Sequence, residues 1–377
     1  MEGKNSMLYY VSFMFLAVTV VLGAAQPAFA SLLIIPGGVV TGTVGVSSDG
    51  CGTNQPPCSI SQDVIAGATV LKAFLYGTSV GFGPTVSITV ELDGTPIVLT
   101  ALPHNQAPSG LISYRADVTT EVTTALTALS THTFSVDDSV GQSTGVVDGI
   151  GLVIIYSHAS LPTSSVLVFD GGQQASATVQ NLVFGAPVDT SAVGFAAEMR
   201  LGIGFSAQDQ SDPSGNSHCG GDSTMDSQID VNGVRLTSCA GNEDDAVGAF
   251  GDGALFTLGG VGDDLLNPSD PNQRSGQGAT SEAIDDDERY DISGFITNGD
   301  TGMLLRTENT SFDDNLFLSI LYFKTIIVDE APAVGGSMVP IDTSALLLAG
   351  AQSISMWMIP VVVAGIGIGV FVIKRKK

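Results

Sequence analysis

Carboxylates crowd one stretch of this chain. From Ala240 to Asp291 there are thirteen acidic residues and two basic ones. They include Asp263-Asp264 and Asp285-Asp286-Asp287, and shortly beyond comes Asp313-Asp314-Asn315. Carboxylates this close repel one another unless water or a cation lies between them. A hard cation such as Ca²⁺ takes six to eight oxygen ligands. Asp263, Asp264, Asp285, Asp286, Asp287, Asp313, Asp314 and Asn315 are therefore the candidate Ca²⁺ ligands, set against a plainly solvated acidic loop. The spacing is not that of an EF-hand, so composition carries this reading.

Other chemistry is sparse. Gly141-Gln142-Ser143-Thr144-Gly145 has the letters of a nucleophile elbow. An elbow joins a strand to a helix, whereas this one runs into another strand-like segment and reads as a loop. The four histidines, His104, His132, His158 and His218, are scattered. Paired carboxylates keep a polysaccharide hydrolase in view as an alternative. Against it, the one tryptophan lies at the C-terminal end, leaving none to stack on a sugar. No catalytic residue is assigned. Asn309-Thr310-Ser311 is a glycosylation sequon at Asn309.

Cys51, Cys58, Cys219 and Cys239 read as two disulfides in an oxidising compartment. Of three possible pairings, the local ones are expected, Cys51–Cys58 and Cys219–Cys239. A zinc site would want a CxxC pair, which is missing.

The elements that must position these residues are strands. Ser87–Thr100 (SITVELDGTPIVLT) and Ser227–Thr237 (SQIDVNGVRLT) each alternate apolar and polar residues around Asp93-Gly94 or Asn232-Gly233. Both dipeptides suit a type I′ hairpin turn, whose two central residues need positive φ. SYRADVT (Ser113–Thr119) then matches ERYDIS (Glu288–Ser293), aligning Tyr114 with Tyr290 and Asp117 with Asp291. THTFSV (Thr131–Val136) matches MLLRTEN (Met303–Asn309). Each unit closes on a long apolar strand, GIGLVIIYS (Gly149–Ser157) and DNLFLSILYF (Asp314–Phe323). The shared order of four elements predicts a duplication, with an acidic insertion at 240–287 in the second copy. The expected fold is all-β, two tandem jelly-roll-like β-sandwiches at 31–160 and 161–330. A linker at 331–344 follows.

The ends predict location. Lys4, an apolar run Val11–Leu22 and Ala28-Phe29-Ala30 form a signal peptide over 1–30, cleaved before Ser31 or after Ala25. Residues 345–373 form a membrane anchor, with an uncharged core span at 356–373 and Trp357 at its outer edge. Lys374, Arg375, Lys376 and Lys377 hold the tail in the cytoplasm. The formal net charge is −25; without the signal and tail, 8 basic and 37 acidic residues remain. Such a surface excludes nucleic acid as a partner. A mean hydropathy of +0.33 excludes a disordered chain.

The stretches DDERYD and DDNLFL, within Gly253–Phe323, resemble uncharacterised exported bacterial and archaeal proteins of the PEP-CTERM-sorted type. The first unit, with its strand–ADVT–strand order, is similar to DUF3344-like surface domains. The C-terminal segment resembles an archaeal envelope anchor, although it carries no PEP or PEFG motif. These resemblances imply a cell-surface location and no established activity. The expected function is an adhesive or structural envelope protein, Ca²⁺-stabilised and non-enzymatic. Its expected partners are the membrane, envelope polymers, other surface proteins or itself. A polysaccharide hydrolase and a solute-binding protein with an apolar pocket between the sandwiches are the alternatives.

Overall fold

The computed structural model describes residues 32–329 except 53–56, 81–86, 103–110, 127–130, 138–145, 173–176, 205–226, 241–255, 264–287 and 310–314. The first half contains β1 (Leu32–Gly42), β2 (Val44–Cys51), β3 (Cys58–Asp63), β4 (Thr69–Val80), β5 (Ser87–Leu92) and β6 (Thr95–Ala101). β7 (Leu111–Asp117), helix α1 (Thr119–Leu126), β8 (Thr131–Asp137) and β9 (Val146–Ser157) complete it. The second half contains β10 (Ser164–Gly171), β11 (Thr178–Val183), β12 (Ala196–Gly204), β13 (Ser227–Val231) and β14 (Val234–Ala240). β15 (Phe256–Leu258), β16 (Arg289–Asp291), β17 (Gly302–Asn309) and β18 (Asn315–Lys324) follow.

Among the described residues every strand pairing is antiparallel, and the pairings repeat. The first half forms one sheet, β2-β9-β4-β7-β6-β5-β8-β3. The second half forms two: β10-β18-β12, with β1 beside β10 and with β15 and β16 both on β12, and β11-β17-β13-β14. Split into quartets, the first half reads β2-β9-β4-β7 and β3-β8-β5-β6. The second reads β10-β18-β12-β16 and β11-β17-β13-β14, the same order strand for strand. The halves differ at one seam. β7 hydrogen-bonds to β6 through Thr100↔Arg115 and Ala101↔Tyr114, which joins the first two quartets into a single sheet.

Both hairpin turns have the positive φ that their sequences predict: Asp93 at 50° and Gly94 at 72°, Asn232 at 51° and Gly233 at 77°. Their bonds also match. The Asp93 N–H donates to Ser135 O, and Asp93 Oδ1 accepts the Ser135 N–H. The Asn232 N–H donates to Leu304 O, and Asn232 Oδ1 accepts the Leu304 N–H. A second set of matched bonds fixes the register. The Ala73 N–H donates to Thr119 Oγ1 and that of Ala197 to Ser293 Oγ. The Thr119 and Ser293 N–H groups donate to Asp117 Oδ1 and Asp291 Oδ1. Asp117 and Asp291 are thus equivalent, as the sequence predicts. The two tyrosines are not. Tyr290 faces Met199 and Ala116 faces Leu75, so Ala116 is the counterpart of Tyr290, and Glu288 that of Tyr114.

Three apolar layers follow from strands that bury both faces. Leu75, Leu152, Ile154 and Phe134 fill the first repeat, and Met199, Leu201, Leu321 and Phe323 the second. Between the repeats, Phe74, Tyr76, Val153 and Ile155 meet Val166, Val168, Phe317 and Ile320. β10, β12 and β18 are buried along nearly their whole length. That is why β18 reads as a nearly continuous apolar run rather than an alternating one. Full burial of a side chain such as Phe317 is worth roughly 1.5–3 kcal/mol, so the shared layer joins the repeats firmly.

β15 arises inside the acidic insertion. Its Phe256 lies on the surface of β9 where a side chain would not fit: a Cβ at Gly149 would come within 2.4 Å of Phe256 Cβ. β1 precedes the first repeat but pairs with β10 of the second. Among the described residues, no helix is long and apolar enough to cross a membrane. The signal peptide and anchor segments lie outside the described residues.

Candidate functional site

The predicted metal ligands are only partly placed. Asp264, Asp285, Asp286, Asp287, Asp313 and Asp314 lie outside the described residues. Asp263 is buried, and its Oδ2 accepts the Gly260 N–H at 2.6 Å. Asn315 is buried at the start of β18, and its Nδ2 donates to Ser113 Oγ at 2.6 Å. Among the described residues no group of three or more His, Cys, Asp or Glu side chains is arranged to hold a metal. Cys51 and Cys58 form the expected disulfide, with Cα atoms 6.2 Å apart. Cys219 and the Cys239 side chain lie outside what is described. Asn309 is fully buried at the end of β17, so the folded chain does not present its amide to solvent. His132 pairs with Asp93 Oδ2 at 2.8 Å, beside the first hairpin turn.

The structure draws together a different set of residues. β12 carries Glu198 and Arg200 two residues apart, hence on one face. β16 brings Arg289 opposite Arg200, and β18 ends on Lys324. Glu198 Oε2 accepts from Arg289 Nη2 at 2.8 Å and Nε at 3.2 Å. Lys324 Nζ donates to Oε1 at 3.0 Å, and Arg200 Nη2 stands 3.4 Å from Oε2. From the first repeat, Ser48 Oγ accepts from Arg200 Nη1 at 2.9 Å and donates to Gly259 O at 2.6 Å. Burial alone would push the Glu198 carboxyl up. The charges of Arg200, Arg289 and Lys324 outweigh that and hold it down at about 2. Glu198 is therefore ionised at neutral pH and unsuited to donate a proton. Burial, together with the neighbouring Arg289 charge, lowers the Arg200 guanidinium.

Beside this cluster is a cavity of about 260 Å³. Its walls include Asp63, Tyr156, Arg200, Arg289, Tyr322 and Lys324. The solute-binding alternative predicts a large apolar pocket between the sandwiches; this cavity is polar and charged. None of Glu198, Arg200, Arg289 or Lys324 stood out in the sequence as a site. The available signal was a pair of charges at i and i+2 inside the apolar strand AAEMRLGIG.

No family model matches the chain, and no curated protein matches it. Among solved structures it is similar to a glycoside hydrolase family 86 protein in complex with neoagarooctaose, at 10% identity and a TM-score of 0.20. That match covers 76% of this chain and 33% of the other. It is also similar to a β-porphyranase of the same family from the human gut bacterium Bacteroides plebeius, at 10% identity and a TM-score of 0.20. Here 81% of this chain and 38% of the other are covered. The chain thus spans little more than a third of these enzymes' length. At such a TM-score the likeness carries no argument about fold or activity.

Proposed function

We propose that this chain is a membrane-anchored cell-surface protein with an adhesive or structural role, built from two tandem jelly-roll sandwiches. The observation that carries the reading is the shared apolar layer between two repeats of identical strand order. Such a layer makes one stiff body of two sandwiches, which suits a load-bearing or displayed module. The Cys51–Cys58 disulfide fits an oxidising exterior. The apolar segments at the two ends supply export and anchorage. The acidic insertion supplies Ca²⁺ ligands that set the rigidity of the ectodomain. A carboxylate clamped by three cations has a structural rather than proton-transfer role, in keeping with a non-enzymatic protein.

Protease treatment of intact cells tests the location. Cutting in the linker at 331–344 should release a compact folded fragment into the medium. Release only after the cells are lysed would refute a surface location.

A further inference from the structure

The equivalent strands of the two repeats treat their arginines differently. In the first, Arg115 on β7 lies 5.8 Å from the Phe74 ring centroid and pairs with Asp170 of β10, across the shared layer. Tyr76, facing Arg115 in register, donates to the same carboxylate at 3.2 Å. One cation meets one carboxylate from the opposite repeat.

By the same register, Arg289 stands for Arg115, Arg200 for Tyr76, Glu198 for Phe74 and Lys324 for Ile155. Continuing β2 by one residue puts Gly52 at the position of Asp170. A Cβ there would lie 2.5 Å from Phe256 N and 2.6 Å from Phe256 Cβ. The first repeat thus sends no carboxylate back from that position. Three cations share Glu198, with Asp263 adding a negative charge near Arg200 and Asp63 exposed at the cavity rim. Among the described residues the Nε–H of Arg200 has no hydrogen-bond partner, although Arg200 is 5% exposed. The Lys324 and Arg289 side chains keep 32% and 22% exposure, so both are reachable from the cavity. Tyr156 and Tyr322 flank it with phenol groups.

We propose that this cavity binds a small organic oxyanion, a carboxylate held by Lys324 and Arg289 with Arg200 behind them. Its volume of about 260 Å³ lies near the lower end for ligand pockets and exceeds what a bare acid group fills. The polar walls suit a hydroxylated body of sugar size, as in a uronic acid. The inference stands on the cavity and does not depend on the chain's location.

The test is calorimetric titration of the full chain, purified in detergent, at fixed ionic strength. The probes are D-glucuronate, its neutral relative D-glucose, and acetate. Glucuronate should bind saturably at one site, and glucose should give no saturable heat. Acetate binding as tightly as glucuronate would mark the ligand as a bare small acid. Tighter glucuronate would mark it as a sugar acid, free or at a polymer's end. Losing one charge-assisted contact should weaken glucuronate about tenfold in Lys324→Gln and in Arg289→Gln. Lys324→Arg should retain binding, which separates lost charge from lost fold, and Lys72→Gln should change nothing. No saturable heat from either acid would overturn the proposal. So would glucose binding equal to glucuronate, or affinity unchanged in both Gln variants.

Discussion

Asp93 and Asn232 occupy the same turn in the two repeats and make the same two bonds to the neighbouring strand. They differ in what the rest of the side chain meets. Asp93 Oδ2 faces His132 Nε2, whereas Asn232 Nδ2 donates to the Phe295 carbonyl at 2.8 Å. The strands between the repeats show the same divergence on a larger scale. Around Arg115 the charges are closed by a carboxylate from across the interface. Around Arg200, Arg289 and Lys324 they are gathered on a single carboxylate of their own repeat, beside open space. Backbone geometry is held in common because turns and register tolerate few alternatives. Side-chain electrostatics diverged, because any arrangement that satisfies its own charges is tolerated.

Acid should expose this difference most strongly. Glu198 has a folded pKa of about 2 against an ordinary 4.5. Its contribution is fully present above pH 4.5 and is lost as pH falls through about 2. A shift of that size corresponds to about 3 kcal/mol. Unfolding midpoints of the wild type and Glu198→Gln should therefore converge as pH drops from 5 to 2. A difference that stays constant over that range would show that the three cations do not stabilise the ionised carboxylate.

A smaller effect is expected at the turns. Asn232→Asp keeps the acceptor for the Leu304 N–H but sets a carboxylate against the Phe295 carbonyl. It should cost about 1–2 kcal/mol in chemical denaturation. Asp93→Asn loses only the exposed contact with His132 and should stay within roughly 0.5 kcal/mol. Equal costs would mean that the two turns are interchangeable after all.

The hairpin turns and the closing strands were legible in the sequence because their signals are local. Asp-Gly and Asn-Gly need positive φ, and Gly149–Ser157 and Asp314–Phe323 are apolar beyond what a half-exposed strand requires. The match of Asp117 with Asp291 was legible for the same reason, since each side chain bonds a backbone N–H two residues on. Tyr114 and Tyr290 misled because their register is set by Ala73 and Ala197, far away in the chain. β1 was unreadable as a partner of β10, since only the three-dimensional edge identifies that neighbour. The cluster on Glu198 draws on β12, β16, β18 and Ser48 of β2. No window of sequence contains it, and the dense acidic insertion drew attention elsewhere.

The two repeats share one apolar layer, and that layer couples them into a single body. Differential scanning calorimetry of the full chain in detergent, comparing wild type with Phe317→Ala, tests this coupling. Emptying that buried site should cost about 3–5 kcal/mol. Both proteins should show a single transition, with calorimetric and van't Hoff enthalpies in agreement, and the whole transition should shift down in the variant. Two separate transitions, with Phe317→Ala moving only one of them, would contradict it and make the repeats independent domains in mere contact.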